Sequence, residues 1–94
     1  MTVRFTALAR REFSASIEWL VERNPDAAQS LRDRLLAVVT SLEAREFEGR
    51  EVTIARGVTV HRWPVGTLVI YYRRKGDALL VLRVFEARRE PIER

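Results

Sequence analysis

The sequence predicts an α+β domain in which an N-terminal helical hairpin packs on a small antiparallel β-sheet, in the order β-α-α-β-β-β. Three observations predict this class. The first half carries apolar residues at helical spacing, and an Asn-Pro pair at Asn24 and Pro25 interrupts it. The second half contains three runs rich in β-branched and aromatic residues. A length of 94 residues fits one domain that spans positions 1–94.

The first elements are a short strand and a helix. Residues 3–5 fit the strand, and residues 6–23 fit the helix. Thr6 is predicted as the N-cap, because Ser, Thr, Asp and Asn are preferred at that position. Apolar residues at spacings i, i+4, i+7 and i+8 mark the buried side of this helix: Phe13, Ile17, Leu20 and Val21.

The second helix begins at the Asn-Pro pair. Proline cannot continue the first helix but suits the first position of a new one, so Asn24 is predicted as its N-cap. This helix runs from Pro25 to about Ala44 and carries one apolar stripe: Ala28, Leu31, Leu35, Val38, Val39 and Leu42. Because the connection is so short, the two helices form an antiparallel hairpin whose apolar sides need a sheet to cover.

The second half supplies that sheet as a meander with tight turns around Gly66 and Gly76. The predicted strands are residues 58–63, 67–73 and 78–85. The polar residues 45–57 form an irregular connection with an edge strand at 52–54. Tyr71 and Tyr72 point to opposite faces of their strand, so one is expected in the core and the other on a surface.

Composition narrows the classes of function. The net charge is +4, and Lys75 is the only lysine among 17 basic residues. Arginine presents a planar fork that matches carboxylate and phosphate, so an acidic partner is expected. Because the chain has no cysteine and His61 is its only histidine, no metal or cofactor is expected. No apolar run approaches a membrane span and no signal peptide is visible, so we expect a cytoplasmic chain without membrane contact.

Two segments resemble a known family. Residues 63–73, Trp-Pro-Val-Gly-Thr-Leu-Val-Ile-Tyr-Tyr-Arg, form an aromatic-Pro-Val-Gly turn and an apolar strand ending in Tyr-Arg. Residues 82–91, Leu-Arg-Val-Phe-Glu-Ala-Arg-Arg-Glu-Pro, continue from a strand into Arg-Arg and an acid, with Glu86 where the family often has His. With the Asn24-Pro25 break, the whole chain resembles the RelE/ParE superfamily of type II toxins, most closely its ParE branch.

The resemblance implies a toxin that inhibits growth by binding DNA gyrase, rather than an enzyme, and that forms a hetero-oligomer with a cognate antitoxin. RelE-like members are instead ribosome-dependent mRNA endonucleases, and an inactive or adaptor protein sharing the fold is a third alternative. The apolar residues 68–70 occupy the strand position of a RelE-like catalytic arginine, and no tyrosine follows Tyr72. Both features favour gyrase. No sequence-specific DNA-binding motif is present, so operator binding is left to the antitoxin.

The arginines of the last strands and the tail are the candidates for contact with the target. Four are predicted to bind it: Arg73, Arg83, Arg88 and Arg89. An mRNA endonuclease would use Arg83, Arg88 and His61 for catalysis. Two of these have structural alternatives. Because Arg83 lies in an apolar strand, it can instead pair with Glu86 or a helix acid. His61 can be a strand-surface residue without a catalytic role.

The antitoxins of this family usually wrap the toxin with a short, acidic, amphipathic segment that folds on binding. Aromatic and arginine side chains are the typical anchors for such a segment, and four are predicted: Trp19, Arg62, Trp63 and Tyr71. Trp19 falls just beside the apolar stripe of the first helix, which makes it an exposed apolar contact. Trp63 has the alternative role of a packing anchor for the turn that Pro64 begins.

Overall fold

The computed structural model describes residues 2–86 of the chain, so the predicted contacts at Arg88 and Arg89 lie outside the described residues. Two helices and five strands follow one another, with a 3₁₀ turn at Ala55–Gly57: β1 Thr2–Phe5, α1 Ala7–Arg23, α2 Pro25–Glu43, β2 Arg50–Ile54, β3 Val58–Val65, β4 Leu68–Lys75 and β5 Ala78–Glu86. The predicted α+β class is confirmed. The predicted edge strand is confirmed too, and begins two residues earlier than expected.

Side-chain caps fix the beginnings of both helices, as predicted. Thr6 Oγ1 accepts a hydrogen bond from Ala9 N at 3.0 Å. Asn24 Oδ1 accepts one from Ala27 N at 3.1 Å. Each bond satisfies an N–H group that the first helical turn leaves without a partner. Asn24 also ends α1, because its own N–H donates to Leu20 O at 2.6 Å. One residue therefore closes α1 and opens α2.

The strands form one sheet in the order β1-β5-β4-β3-β2. Strands β2 to β5 are antiparallel neighbours, as predicted, and positive φ angles at Gly66 and Gly76 permit the two tight turns between them. Strand β1 instead pairs with β5 in parallel over all four of its residues. The sheet is therefore mixed. The sequence does not encode this direction, because side chains alternate in the same way in both kinds of pairing.

Both helices pack on one face of the sheet, the covered face. The predicted stripe of α2 is confirmed, with Val38 partly buried and the others buried: Ala28, Leu31, Leu35, Val39 and Leu42. In α1, Ile17 is buried and Phe13 and Leu20 are partly buried, but Val21 is 42% exposed. The prediction for Val21 is wrong. At about 100° per residue, Phe13 and Leu20 fall on one side of Ile17 and Val21 falls on the other.

The opposite face carries no helix among the described residues, and we call it the open face. Val60, Val69 and Tyr71 are buried at its centre, bordered by partly buried residues: Val52, Ile54, Leu82 and Phe85. Tyr71 and Tyr72 lie on opposite faces, as predicted, but both are buried, at 2% and 0% exposure. The expectation that one of them is exposed is wrong, because each face of the sheet has its own apolar cluster.

Replacing the shared cap should destabilise the fold. Asn24→Ala removes the acceptor for Ala27 N, and we expect a loss of about 1 kcal/mol in the free energy of unfolding, measured in urea. Thr40→Ala, on the exposed side of α2, is the matched control and should change that free energy by less than about 0.5 kcal/mol. Equal losses for the two variants would contradict the capping role of Asn24.

Candidate functional site

Arg83, a predicted target contact, forms an ion pair with Glu12 of α1. Its Nη2 lies 2.7 Å from Glu12 Oε2, and its Nε donates to the two carboxylate oxygens at 3.0 and 3.1 Å. Both side chains are mostly buried. Hydrogen bonding to the Glu12 carboxylate holds the pKa of Arg83 above its ordinary value. The helix-acid alternative for Arg83 is therefore confirmed.

A β-bulge sets the position of Arg83. In the ladder between β4 and β5, Arg83 is opposite Tyr71. The next β4 residue, Tyr72, is opposite Val81, which leaves Leu82 as the extra residue of β5. A bulge bends its strand and changes the direction of the side chains around it. The bulge therefore lies beside the position from which the Arg83 side chain extends to Glu12 of α1.

Beyond the end of β1, Thr6 and Glu12 form hydrogen bonds with the backbone of β5 along the edge that β1 leaves unpaired. Thr6 N donates to Val81 O at 3.0 Å, and Thr6 Oγ1 donates to Leu82 O at 2.8 Å. Further along the same edge, Val84 N donates to Glu12 Oε1 at 3.0 Å. Because backbone polar groups removed from water need partners, these bonds hold α1 in one position against β5.

His61 belongs to a second polar cluster, which it forms with residues of β4 and of the segment before β2. The Tyr72 hydroxyl donates to Glu48 Oε1 and accepts from Gly49 N at 2.7 Å. Arg74 Nε lies 3.0 Å from Glu48 Oε2. His61 Nδ1 donates to Gly49 O at 2.9 Å, and its ring stacks on Tyr72. The cluster ties the segment before β2 to the sheet.

The pKa shifts of Tyr72 and Glu48 keep both groups in the protonation states that bind each other at neutral pH. Burial, together with the hydrogen bond to Glu48, raises the pKa of Tyr72 to about 12. Burial by itself raises the pKa of Glu48, but hydrogen bonds from Arg74 and Tyr72 outweigh it, and the pKa of Glu48 is lowered. At neutral pH a neutral phenol therefore donates to a carboxylate.

The residues predicted for RNA cleavage do not converge on one point. Arg83 is opposite Tyr71 and His61 is opposite Tyr72, and these two tyrosines lie on opposite faces of the sheet. General acid–base catalysis needs its groups within hydrogen-bond reach of one substrate. Arg88, the third candidate, lies outside the described residues.

The described residues contain neither a cluster of metal-ligating side chains nor a helix that could cross a membrane. Within residues 2–86, no three His, Asp or Glu side chains come together as a metal ion would require. No helix in the same range is long and apolar enough to cross a membrane.

A groove of about 1040 Å³ opens between α1, α2 and the ends of β4 and β5. Trp19, which is 54% exposed, lies in it beside the partly buried Leu20 and Phe85. The Arg23 guanidinium lies 3.9 Å from the centre of the Trp19 ring, and its Nη1 donates to Trp19 O. Charged side chains also line the groove: Arg11, Glu12, Arg34 and Glu86. Exposed tryptophan and arginine together are typical of protein-binding surfaces.

The residues predicted to contact an antitoxin do not form one surface. Trp19 lies in the groove. Trp63 packs against the core of the covered face and stacks on Phe47, with ring centroids 4.2 Å apart. Its packing alternative is supported, although Trp63 anchors the segment before β2 rather than the turn. Arg62 is opposite Tyr71, which is buried at the centre of the open face.

Arg73 and Arg83, the two predicted target contacts among the described residues, differ in their exposure and partners. Arg73 is exposed and follows Tyr71 by two positions on β4, so it lies on the open face. Arg83 is held by Glu12. Only Arg73 of this pair therefore presents a side chain to solvent without an ion pair to a helix.

The sequence does not predict that Glu12 binds Arg83 or that Glu48 binds Tyr72. Glu12 and Arg83 are 71 positions apart, and Glu48 and Tyr72 are 24 positions apart, so no local pattern links them. One signal points to Glu12: it is the first acidic residue of the chain and borders the apolar stripe at Phe13. Glu48 lies in an irregular connection and carries no comparable signal.

The chain is similar to proteins of one kind. A family model described as ParE toxin of type II toxin-antitoxin system, parDE, matches residues 3–91. Toxin RelE1 of Caulobacter vibrioides (strain ATCC 19089 / CIP 103742 / CB 15) is 37% identical over 87 residues, which cover 89% of this chain and 90% of that protein. A solved structure, Chromosomal ParDE TA system from P. aeruginosa, matches with a TM-score of 0.72 at 20% identity, over 92% of this chain and 95% of that one. The last likeness shows the fold alone.

Alkaline pH should destabilise the protein through Tyr72. The fold raises the pKa of Tyr72 from 10.0 to about 12, so its contribution is present below pH 10 and is lost as pH rises towards 12. Tyr72→Phe removes this titration. Between about pH 9 and pH 12, the wild type should lose about 2–3 kcal/mol more of its free energy of unfolding than the variant. Parallel pH profiles in urea unfolding would contradict this.

Proposed function

Because the chain belongs to the ParE toxin family of type II toxin–antitoxin systems, we propose that it inhibits growth by binding DNA gyrase and is neutralised by a cognate antitoxin. The match of residues 3–91 to the family model carries the proposal. The ParE branch, which residues 63–73 and 82–91 resemble, acts on gyrase rather than cleaving RNA. The similar solved structure is a ParDE system, which supports an antitoxin as partner.

The state of the candidate catalytic residues supports an inhibitor rather than an enzyme. RNA cleavage through the 2′-hydroxyl needs a base, an acid and a cation at the phosphate. Arg83 makes three hydrogen bonds with Glu12, and His61 donates its Nδ1 hydrogen to a backbone carbonyl. Residues 68–70 are buried and apolar. The described residues therefore supply binding surfaces rather than a poised acid–base pair.

The groove around Trp19 is the surface that we assign to the antitoxin. An amphipathic helix binds such a groove through apolar anchors on one side, and the exposed Trp19 ring is the largest anchor there. Arg11, Arg23 and Arg34 lie in or beside the groove and complement acidic side chains of the incoming segment. Tryptophan and arginine are also the residues that most often dominate binding energy.

A ribosome-dependent mRNA endonuclease is the second candidate, because the Caulobacter relative at 37% identity is named toxin RelE1. In that case Arg83 and Arg88 would hold the phosphate and His61 would act as the base. Arg83 would then have to leave Glu12 when RNA binds, since three of its hydrogen bonds go to that carboxylate.

The proposed activity predicts a direct effect on supercoiling. The purified chain, titrated into a supercoiling reaction with gyrase from its own host, should lower the yield of supercoiled DNA in a dose-dependent way. Equimolar antitoxin should restore it. Messenger RNA on actively translating ribosomes should stay intact in the presence of the same preparation.

A folded variant outside the proposed surfaces separates specific inhibition from a general effect of a basic protein. Leu36 is 63% exposed on α2 and does not line the Trp19 groove. Leu36→Ala should inhibit gyrase as the wild type does, whereas heat-unfolded chain should not inhibit. Normal supercoiling together with mRNA cleavage by the folded wild type would contradict gyrase as the target and favour the endonuclease.

Removing the groove anchor should weaken antitoxin binding. Trp19→Ala deletes an exposed ring, and we expect the dissociation constant for the antitoxin to rise at least about 30-fold, as for other tryptophan hot spots. Leu36→Ala is the matched control and should change it less than about threefold. Isothermal titration calorimetry measures both. If the two variants bind equally well, the antitoxin does not use this groove.

A further inference from the structure

The two tryptophans of the chain are held in different ways. Trp63 packs against the core of the covered face, and Phe47 stacks on its ring. Trp19 is 54% exposed, and within residues 2–86 no second aromatic ring stacks on it. An exposed side chain has several staggered rotamers available, because packing removes the alternatives only where neighbours surround it. A fixed orientation of the Trp19 ring therefore depends on contacts within its own helix.

Arg23 makes such a contact. It follows Trp19 by four positions on α1, so the two side chains lie on the same side of the helix. The guanidinium carbon of Arg23 lies over the Trp19 ring, 3.9 Å from its centre. Its Nη1 also donates to Trp19 O at 2.9 Å. The guanidinium is thus fixed to the backbone of the same residue whose ring it covers, which gives the cation and the ring one mutual geometry.

The ion pair between Arg23 and Glu22 is weak by comparison. Glu22 Oε2 lies 3.8 Å from Arg23 Nη1, which is longer than a hydrogen bond, and its side chain is 79% exposed. Ion pairs between exposed side chains contribute little, because water and salt screen them. The ring and the carbonyl of Trp19 therefore determine where the Arg23 guanidinium lies.

Arg23 acts on the groove from outside it. Residues of both helices and of β4 and β5 line the groove together with Trp19, and Arg23 is not one of them. Its guanidinium covers one side of the Trp19 ring, so a partner meets the remaining surface of the indole. The effect of Arg23 on the groove therefore passes through the orientation of Trp19.

We propose that Arg23 is a positioning residue, which holds the Trp19 ring in the orientation that binds the antitoxin. This inference rests on the antitoxin groove of the proposed function. The apparent affinity of a protein falls with the fraction of molecules in the binding-competent state, so an anchor that is fixed before binding strengthens the complex. A cation over an exposed indole changes such a population by about twofold to fivefold.

The order of the Trp19 ring in the free, full-length chain is the first test. Nitrogen-15 relaxation of the two indole N–H groups gives an order parameter for each ring, with Trp63 as the internal reference. In the wild type, the value for Trp19 should be close to that for Trp63, at about 0.8. Arg23→Gln should lower it below about 0.6 and leave Trp63 unchanged. Arg32→Gln removes the same charge from an exposed position that does not line the groove, and should change neither ring.

A double-mutant cycle tests whether Arg23 affects the antitoxin through Trp19. Isothermal titration of the purified cognate antitoxin should give a dissociation constant about threefold to fivefold higher for Arg23→Gln than for the wild type. In the Trp19→Leu background the same change should alter it less than about 1.5-fold, because the ring that Arg23 positions is absent. The control Arg32→Gln should alter it less than about twofold in both backgrounds.

Two outcomes would overturn the inference alone. The first is an order parameter of Trp19 that is the same in the wild type and in Arg23→Gln, which would mean that other contacts hold the ring. The second is an equal loss of affinity for Arg23→Gln with and without the Trp19 ring, which would assign Arg23 to a direct contact with the antitoxin. A failure of the proposed function looks different: Trp19→Ala then binds the antitoxin as tightly as the wild type does, and the groove and the binding role of Arg23 fail together.

Discussion

The hydrogen bonds along the edge of β5 beyond Val81 are the constraint on which the rest of the structure depends. Strand β1 is only four residues long, so it pairs with the first part of β5 and leaves the same edge of the second part without a strand, while β4 pairs along the other edge. Thr6 and Glu12 supply acceptors and donors there. Since Thr6 caps α1 and Glu12 lies in its second turn, this edge fixes the helix, and the Asn24 cap then fixes α2 and the groove between them.

The same bonds decide what the charged residues can do. Glu12 holds Arg83, and Glu48 and Gly49 hold Tyr72, Arg74 and His61. Buried polar groups stabilise a fold most when each of them forms its hydrogen bonds, and the side chains of these two clusters bind one another or the backbone. Among the described residues, the catalytic candidates Arg83 and His61 therefore bind neighbouring elements of the fold. The described surface offers shape and charge, which agrees with the inhibition by binding that we propose.

The two faces of the sheet offer different kinds of surface. On the covered side, the groove combines an exposed tryptophan with charges of both signs, which suits an amphipathic protein segment. On the open face, the strands place arginines around a buried apolar centre and bring no carboxylate among residues 2–86. Strand alternation separates these surfaces, because neighbouring residues of one strand face opposite sides.

The sequence alone determined what local chemistry controls. Caps at Thr6 and Asn24, helical periodicity, glycine turns and the resemblance of residues 63–73 and 82–91 predict the helices, the strands and the family. Only the tertiary structure decided the parallel pairing of β1, the burial of both tyrosines and the pairing of Arg83 with Glu12. These depend on residues far apart in the chain, and nothing in a local pattern records which distant groups must share hydrogen bonds when a strand edge or a charge is removed from water.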